Sequence, residues 1–164
     1  MYNGIFLDYY ALRIPSYVPN TALAIDMKAN AAAIPGDGTY DVPFTHTRDI
    51  AAYTVSLLSV EKWEPKYYIA GDTKTWNDMV ALAEKARGVK FQVAYDDAEK
   101  LRSGEVTKLP GHQSIYETFG PVFAKVQARL SLFMVEVSMV GEGPHLNEMF
   151  PEIEAFTAEK ALLG

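Results

Sequence analysis

The feature that most constrains this chain is a missing one. Its pattern of strands and helices is that of a nucleotide-binding α/β protein, yet the sequence contains no glycine-rich loop that would hold a phosphate. The nearest candidate, Pro35-Gly36-Asp37-Gly38, lacks the G-x-G-x-x-G spacing and does not open a helix. We therefore expect either that the cofactor-binding part lies outside this chain or that the protein works without a dinucleotide, and we expect no cofactor in the chain itself.

Alternating strand and helix signals predict the fold class. The apolar segment Lys66–Ala70 (K-Y-Y-I-A) reads as a strand, Thr75 with Asp78 three residues later resembles a capping box, and Phe91–Tyr95 alternates as a second strand. A helix of about 12 residues between two strands favours a right-handed crossover and a parallel sheet. We predict a truncated Rossmann-like α/β fold, with a short, largely parallel sheet and packed helices. Further short strands are expected at 5–7, 31–34 and 42–44, and a helix capped by Thr47 follows the last of them.

A long helix is predicted towards the carboxyl end, from Ser114 to Met139, and Pro121 either kinks it or marks its start. Apolar residues recur along it every three or four positions, as expected for one buried face. These residues are Phe119, Val122, Val126, Leu130, Phe133, Val137 and Val140.

Composition excludes several classes of function. A formal net charge of -6 without any basic run argues against nucleic-acid binding, which depends on clustered lysine and arginine. The absence of cysteine excludes disulfides and thiolate sites and is consistent with a cytoplasmic protein. The most apolar stretch, 130–140, is too short and too polar to span a membrane. Three separated histidines without an H-E-x-x-H spacing predict no metal site.

Polar residues follow two of the predicted strands, where ligands of open α/β sheets bind. We predict that His46 acts as a general acid or base with Asp8 as its orienting partner, since histidine titrates near neutral pH. The structural alternative is that His46 satisfies a loop carbonyl and Asp8 caps a turn. Residues expected to bind the substrate are polar groups at the strand ends and aromatic residues that could line an apolar pocket. They are Tyr9, Tyr10, Tyr17, Thr45, Thr47, Tyr116 and Phe119.

Four stretches, in this order along the chain, resemble the carboxyl-terminal half of NmrA-like proteins. They are Asn3–Ala11 (N-G-I-F-L-D-Y-Y-A), Phe44–Ala51 (F-T-H-T-R-D-I-A), Tyr67–Asp72 with Thr75–Met79 (Y-Y-I-A-G-D and T-W-N-D-M), and Phe150–Ile153 with Thr157–Lys160 (F-P-E-I and T-A-E-K). That family is grouped with isoflavone-reductase-like enzymes among the atypical short-chain dehydrogenases, and this version looks fungal. The resemblance implies that residues 1–164 form a single substrate-side domain, and that the glycine-rich half of such proteins precedes N-G-I-F.

Three functions are compatible with this sequence. We predict a cofactor-independent isomerase, cyclase or dehydratase of fungal secondary metabolism that acts on a small hydrophobic metabolite through shape and acid–base chemistry. The alternatives are a non-catalytic binding or regulatory NmrA-like module, or a fragment of an NADP-dependent reductase. Because strand 5–7 would leave an apolar sheet edge exposed, we also expect a homodimer in which sheet edges or the long helices pack together.

Overall fold

The computed structural model describes residues 1–19, 21–137 and 139–164. The chain divides into two compact units. The first comprises Met1–Pro19, Asp41–Lys74 and Met139–Gly164, and the second comprises Asn20–Tyr40 and Thr75–Ser138. Within the described ranges, no helix combines the length and the apolar character needed to cross a membrane.

The first unit contains a three-stranded sheet. Its strands are β1 (Ile5–Phe6), β4 (Asp41–Thr45) and β5 (Asp72–Thr75), in the spatial order β1-β4-β5. Strands β1 and β4 are parallel, with Ile5 opposite Phe44, so the chain segments that follow both strands leave the sheet at the same edge. That arrangement brings the residues after β1 close to the residues after β4.

The strand predicted at Lys66–Ala70 is wrong. Within this segment Tyr68 makes only isolated bridges, one to Tyr2 and one to His145, and the regular strand β5 begins later, at Asp72. Tyr68 is extended and apolar, as its sequence suggested, but it lies between two single-residue partners. A ladder cannot grow there because neither neighbouring segment runs alongside it for more than one residue.

Helix α1 (Thr47–Leu57) follows β4 directly and packs through Tyr53 and Leu57. Its N-cap is His46 and not the expected Thr47, because the His46 ring accepts the N–H of Arg48. Two short helices complete this unit, α6 (Leu146–Met149) and α7 (Ala158–Leu163). The core around α1 consists of Tyr53, Leu57, Tyr67, Ile69 and Leu146.

The second unit contains its own sheet, in the order β2-β3-β6. Strand β2 (Ile25–Asp26) pairs antiparallel with β3 (Ala31–Pro35), and β3 pairs parallel with β6 (Gln92–Asp96) over five residues. Helix α2 (Trp76–Arg87) precedes β6, and α3 (Ala98–Arg102) follows it. The strands expected at 5–7, 31–34, 42–44 and 91–95 are therefore present, and β1–β4 and β3–β6 pair parallel, but the strands form two small sheets.

Local sequence rules describe α2 well. Thr75 accepts the Asp78 N–H at 3.1 Å, and the Asp78 carboxylate accepts the Thr75 N–H at 3.1 Å, which completes the predicted capping box. Gly88 ends the helix in the left-handed region with φ 70°. Both ends of α2 are thus specified by contacts within a few residues.

The single long helix predicted from Ser114 to Met139 is wrong. Gly120, at φ 55° and ψ -143°, separates α4 (Gln113–Phe119) from α5 (Pro121–Glu136). A residue with a side chain rarely adopts that conformation, and Pro121 is favourable at the first position of a new helix. The two neighbouring residues therefore act together as a break.

The predicted burial of the apolar face of this region is also wrong. All seven residues of the predicted face are exposed, from Leu130 and Val140 at 42% to Val122 at 65%. The side of α5 that packs inward, near α3 and β3, carries smaller or polar side chains. Those buried residues are Gln127, Ala128, Ser131 and Met134.

Candidate functional site

Asp8 lies in the 3-10 turn Leu7–Tyr10 that directly follows β1, and its side chain is fully buried. Its carboxylate accepts hydrogen bonds from the Thr47 N–H at 2.8 Å, the Thr47 hydroxyl at 2.6 Å and the Tyr17 N–H at 3.2 Å. Burial raises the pKa of Asp8, but the hydrogen bonds from Thr47 and Tyr17, with nearby His46, more than offset it and hold this pKa below its ordinary value. The ionised carboxylate therefore fastens the first turn of α1 to the loop at Tyr17.

His46 is also fully buried and lies beside Asp8, with Nε2 3.5 Å from Asp8 Oδ1. Its Nδ1 accepts the Arg48 N–H at 3.1 Å, and Nε2 lies 2.8 Å from the carbonyl oxygen of Pro15. Because Nδ1 accepts a hydrogen bond, this network assigns the proton of the neutral ring to Nε2, from which it is donated to Pro15. Both ring nitrogens therefore already have partners within the protein.

The structure thus brings together Asp8, His46 and Thr47, which are three of the predicted site residues at the ends of β1 and β4. Their contacts are those of the structural alternative, in which His46 satisfies a loop carbonyl and Asp8 holds a turn. A catalytic role for the pair stays a prediction, since each polar side-chain atom of Asp8 and His46 has a protein partner.

The other strand-end residues of the predicted site differ in accessibility. Thr45 is buried; its hydroxyl donates to the Ile69 carbonyl and accepts the Gly71 N–H, both at 3.3 Å. Tyr10 is buried edge-on against Phe44, and Tyr9 is half-buried. Tyr17 is 69% exposed, and its ring stands edge-on to the His46 ring with the two centroids 6.0 Å apart. Of these four residues, Tyr9 and Tyr17 present surface that a ligand can contact.

Asp49 has a long-range role that local sequence patterns did not reveal. It lies in the first turn of α1 and is buried, and its Oδ2 accepts the Phe156 N–H at 2.8 Å. Burial raises the pKa of Asp49 above its ordinary value, and repulsion from Asp8 adds to this, although the Phe156 N–H, His46 and Arg48 act in the opposite direction. Two carboxylates beside one histidine therefore have pKa values shifted in opposite directions.

Contacts near Phe156 explain why position 71 is a glycine and position 72 an aspartate. A Cβ on Gly71 would lie 2.8 Å from the Phe156 carbonyl oxygen, which excludes a larger residue. Asp72 accepts the Ala158 N–H at 3.0 Å and so orients the start of α7. Phe156 itself lies between two cations, with Arg48 and Lys160 each 5.1 Å from its ring centroid. Asp8, Asp49 and Asp72 thus have the same role, because each accepts a hydrogen bond from a backbone N–H that is far away along the chain.

Tyr116 and Phe119 belong to the second unit. The Tyr116 ring packs edge-on against Phe123 at 5.1 Å, and Lys108 Nζ lies 4.8 Å from its centroid. The Tyr116 hydroxyl is buried and has no hydrogen-bond partner among the described residues. Phe119, at the end of α4, is 62% exposed. His112, whose ring lies beside that of Tyr116, is buried and bonded to the Ala22 carbonyl.

A groove of about 740 Å³ opens at the carboxyl ends of the parallel strands β3 and β6. Tyr95 is an exposed wall of this groove, whereas Tyr40 is half-buried and donates to the Pro35 carbonyl at 3.0 Å. Burial raises the pKa of Tyr40 to about 12, so its hydroxyl remains a donor at neutral pH. Sequence reasoning missed this groove because its walls come from four separate segments. They are Gly36–Tyr40, Tyr95, 97–98 and Val135.

The loop Pro35-Gly36-Asp37-Gly38 does not fit a dinucleotide pyrophosphate. It leads into strand β4 and not into a helix, and the start of α2 beside it is already bonded to the loop, since the Asn77 N–H donates to the Gly38 carbonyl at 3.1 Å. A Cβ on Gly38 would lie 2.7 Å from Ile34 and from Asn77, so this glycine serves chain packing. The Asp37 carboxylate accepts the Thr39 N–H and hydroxyl, and it would repel a phosphate. Among the residues that the structure describes, no group of three or more metal-ligating side chains occurs.

Comparison with known proteins identifies relatives along almost the whole chain. The chain is 32% identical to the oxidoreductase swnN of Metarhizium robertsii over 95% of its own length and 48% of that protein's length. It is 30% identical to the oxidoreductase BOA1 of Botryotinia fuckeliana, again covering 48% of that protein. Its curated relatives are fungal oxidoreductases. The chain spans about half the length of these relatives, and no protein-family model matches it.

Solved structures confirm the predicted α/β fold class. Isoflavone reductase superposes with a TM-score of 0.63 at 17% identity, covering 97% of this chain and 49% of that protein. The complex of Vitis vinifera leucoanthocyanidin reductase with NADPH gives a TM-score of 0.60 at 16% identity, with coverages of 96% and 50%. At these identities the likeness shows the fold alone.

These comparisons overturn one prediction. The relatives are named oxidoreductases, and the proteins that share the fold are reductases, one of them solved with NADPH. The prediction of a cofactor-independent isomerase, cyclase or dehydratase is therefore wrong. The missing glycine-rich loop was a sound observation, but the conclusion that the chemistry proceeds without a cofactor did not follow from it.

Proposed function

We propose that this chain is the substrate-side part of an NADP-dependent oxidoreductase of the NmrA-like, isoflavone-reductase-like kind, acting on a small hydrophobic metabolite. The observation that carries the proposal is the match to swnN, which runs along 95% of this chain but only 48% of that oxidoreductase. A similar division holds for BOA1 and for the reductases that share the fold. A cytoplasmic location, which was expected from the lack of cysteine, stays a prediction.

The residues present indicate which part of the enzyme binds the cofactor and which part binds the substrate. Hydride transfer requires a bound nicotinamide. The loop at Gly36–Gly38 cannot seat a pyrophosphate, because Asn77 and Ile34 occupy the space beside Gly38 and Asp37 supplies a negative charge. We therefore assign cofactor binding to the portion of the enzyme that this chain does not match. The residues described here would bind and orient the substrate.

Two features support an apolar substrate. The groove at the carboxyl ends of β3 and β6 has the size of a small-molecule site, and Tyr40, Tyr95 and Val135 line it together with the acidic residues Asp37 and Asp97. Tyr9, Tyr17, Tyr116 and Phe119 offer further aromatic surface, and they remain proposed substrate-contacting residues. Neither set supplies a cationic side chain that would select an acidic substrate.

A chimera tests this function. The portion of swnN that this chain does not match is joined to the chain, and NADPH binding is followed by fluorescence for the chimera and for the isolated chain. We expect the chimera to bind NADPH and the isolated chain not to bind it. Stoichiometric binding by the isolated chain would contradict the proposal, as would a folded chimera that does not bind NADPH.

The substrate side is tested separately by the thermal shift of the isolated chain with a panel of uncharged aromatic metabolites. Stabilisation by members of the panel that is lost in Tyr95→Ala would place the ligand in the β3–β6 groove. Stabilisation that Tyr95→Ala leaves unchanged would place it elsewhere. A panel that gives no shift in either protein would argue against the substrate-side role.

A further inference from the structure

One face of α5 is apolar and open to solvent. Val122, Val126 and Phe133 are each more than half exposed, and Leu130 exceeds 40%. We call these four residues the outer face of α5. The opposite side of the helix is buried through Ala128 and Met134, so the outer face is not needed for the core of this unit. An apolar stripe of this extent on a folded chain marks an interaction surface.

The dimensions of the outer face indicate what covers it. From Val122 to Phe133 it extends about 16 Å at the 1.5 Å rise of an α-helix, which is longer than a small metabolite, and it is convex where ligand sites are concave. Val126 and Phe133 are seven residues apart, and Leu130 lies between them at spacings of four and three. Seven-residue spacing is the pattern of a helix that packs along a second helix. The partner is therefore a helix with a matching apolar stripe.

Charges beside the outer face distinguish the possible orientations of that second helix. Lys125 and Arg129 lie on one flank near the start of the stripe, and Glu136 lies on the same flank near its end. If two copies of α5 pack antiparallel about a two-fold axis, equal flanks adjoin, and Lys125 of one copy lies within about one turn of Glu136 of the other. A parallel pair would place these flanks on opposite sides.

Glu136 retains the capacity for a second cation. Its Oε1 accepts from Arg102 Nε at 3.2 Å and Nη2 at 2.5 Å, while both side chains remain exposed. Both bonds go to the same carboxylate oxygen and leave Oε2 outside this pair. Opposite charges at matching positions set the register of a helix pair more than they set its strength.

We propose that the outer face of α5 is a homodimer interface in which α5 packs antiparallel against α5 of a second copy. Val126 then lies level with Phe133 of the second copy. Leu130 is nearest the two-fold axis and meets its own counterpart. This interface is independent of the proposed oxidoreductase function, because it uses none of the residues assigned to the substrate.

The first test is the mass in solution of the whole chain and of Leu130→Glu, measured by sedimentation at several concentrations. We expect a concentration-dependent dimer for the native chain and a monomer for Leu130→Glu, because like charges would face each other at the axis. Val55→Glu is the matched control, since Val55 is an exposed valine on α1, at 66%. Circular dichroism checks that each variant is folded. A native chain that is monomeric throughout, or a dimer that survives Leu130→Glu, would overturn the proposal.

Because the chain contains no cysteine, single introduced cysteines can report how the two copies of α5 are oriented. Single-cysteine variants Leu130→Cys, Val126→Cys and Phe133→Cys are oxidised and examined as dimers on a denaturing gel. We expect Leu130→Cys to cross-link with itself, and Val126→Cys to cross-link with Phe133→Cys in a mixture of the two. Val126→Cys alone should remain largely uncross-linked. Efficient self-cross-linking of Val126→Cys, with none between Val126→Cys and Phe133→Cys, would indicate a parallel pair and refute the antiparallel arrangement.

Charge reversal tests whether Lys125, Arg129 and Glu136 set the orientation of the helix pair. The double variant Lys125→Glu/Arg129→Glu should dimerise about tenfold more weakly, because acidic side chains would then face Glu136 of the second copy. Adding Glu136→Lys should restore most of the affinity. If the triple variant is no better than the double variant, these charges do not set the orientation.

Discussion

Helices α1 and α5 place their polar and apolar residues in opposite ways. Helix α1 begins with a polar sequence, T-R-D, and buries Asp49 and the preceding His46 completely or nearly so. Helix α5 carries a continuous apolar stripe and exposes it, while it buries Gln127 and Ser131. The difference shows that a side chain is buried where a neighbouring group requires it, and that polarity alone does not determine the buried face.

The reason for burial differs between the two helices: it is hydrogen bonding at α1 and close packing at α5. At α1, carboxylates are buried because backbone N–H groups of distant segments would otherwise lack partners; Asp8 serves Thr47 and Tyr17, and Asp49 serves Phe156. At α5, close packing near α3 and β3 favours a small residue, Ala128, with Met134 to fill the remaining space. The outer valines and Phe133 are then left on the solvent side.

The largest effect is expected for Asp8→Ala. This change leaves the Thr47 N–H and hydroxyl and the Tyr17 N–H without their buried acceptor, and it should lower the free energy of unfolding by about 4 kcal/mol, measured in urea. Asp37→Ala is the matched control, because Asp37 also accepts two bonds from one threonine but is exposed, and its effect should be much smaller. Equal losses in the two variants would refute the role assigned to the buried carboxylate.

Adjacent residues of α5 test which face is buried. Met134 is 2% exposed and Phe133 is 52% exposed. Met134→Ala should cost about 3 kcal/mol of unfolding free energy because it leaves a cavity, whereas Phe133→Ala should change it by less than about 0.5 kcal/mol. The measurement is made at a concentration where the chain is monomeric. The reverse ranking would show that the sequence-based assignment of the buried face was right after all.

The features predicted correctly from the sequence are those determined by nearby residues. The Thr75–Asp78 capping box and the stop at Gly88 involve contacts within a few positions, so α2 could be bounded in advance. The N-cap of α1 could not be predicted in this way, because histidine is an unusual N-cap. Here its ring also bonds Pro15, 31 residues away. Likewise the partner of Asp49 lies 107 residues away, and no local pattern indicates it.

The candidate site could likewise be predicted only in part from the sequence. The expectation that residues after β1 and β4 meet was correct, because parallel strands end at one edge, and Asp8 does reach His46 and Thr47. Their hydrogen bonding could not be read from the sequence, since it depends on the loop at Pro15 and Tyr17. The exposed face of α5 could not be read either, because an interface and a core have the same apolar periodicity.

A smaller effect is expected at His46, where the capping role can be separated from the link to Pro15. His46→Ala removes both and should cost about 2 kcal/mol, while His46→Asn keeps an acceptor for the Arg48 N–H and should recover about 1 kcal/mol of that loss. Urea unfolding of the two variants provides the comparison. If asparagine is no better than alanine at this position, the cap observed at the start of α1 contributes little.

The smallest effect is a pH dependence in which the two carboxylates beside His46 act in opposite directions. The pKa of Asp49 is raised in the folded chain by burial, so its contribution to stability is complete below the unfolded value of 3.8 and is lost as pH rises through the folded pKa. Relative to Asp49→Asn, which does not titrate there, the native chain should therefore gain stability as the pH falls from neutral towards 3.8.

Asp8 supplies the control with the opposite sign. Its folded pKa is lowered, so its contribution is present above 3.8 and is lost as pH falls through the folded value. The advantage of the native chain over Asp8→Asn should thus shrink at the acid end of the same series of urea titrations. Because each comparison leaves the other carboxylate in both proteins, its own titration largely cancels in the difference. Parallel curves for the two variants would mean that the carboxylates at the start of α1 share one environment, and the contrast between them would be lost.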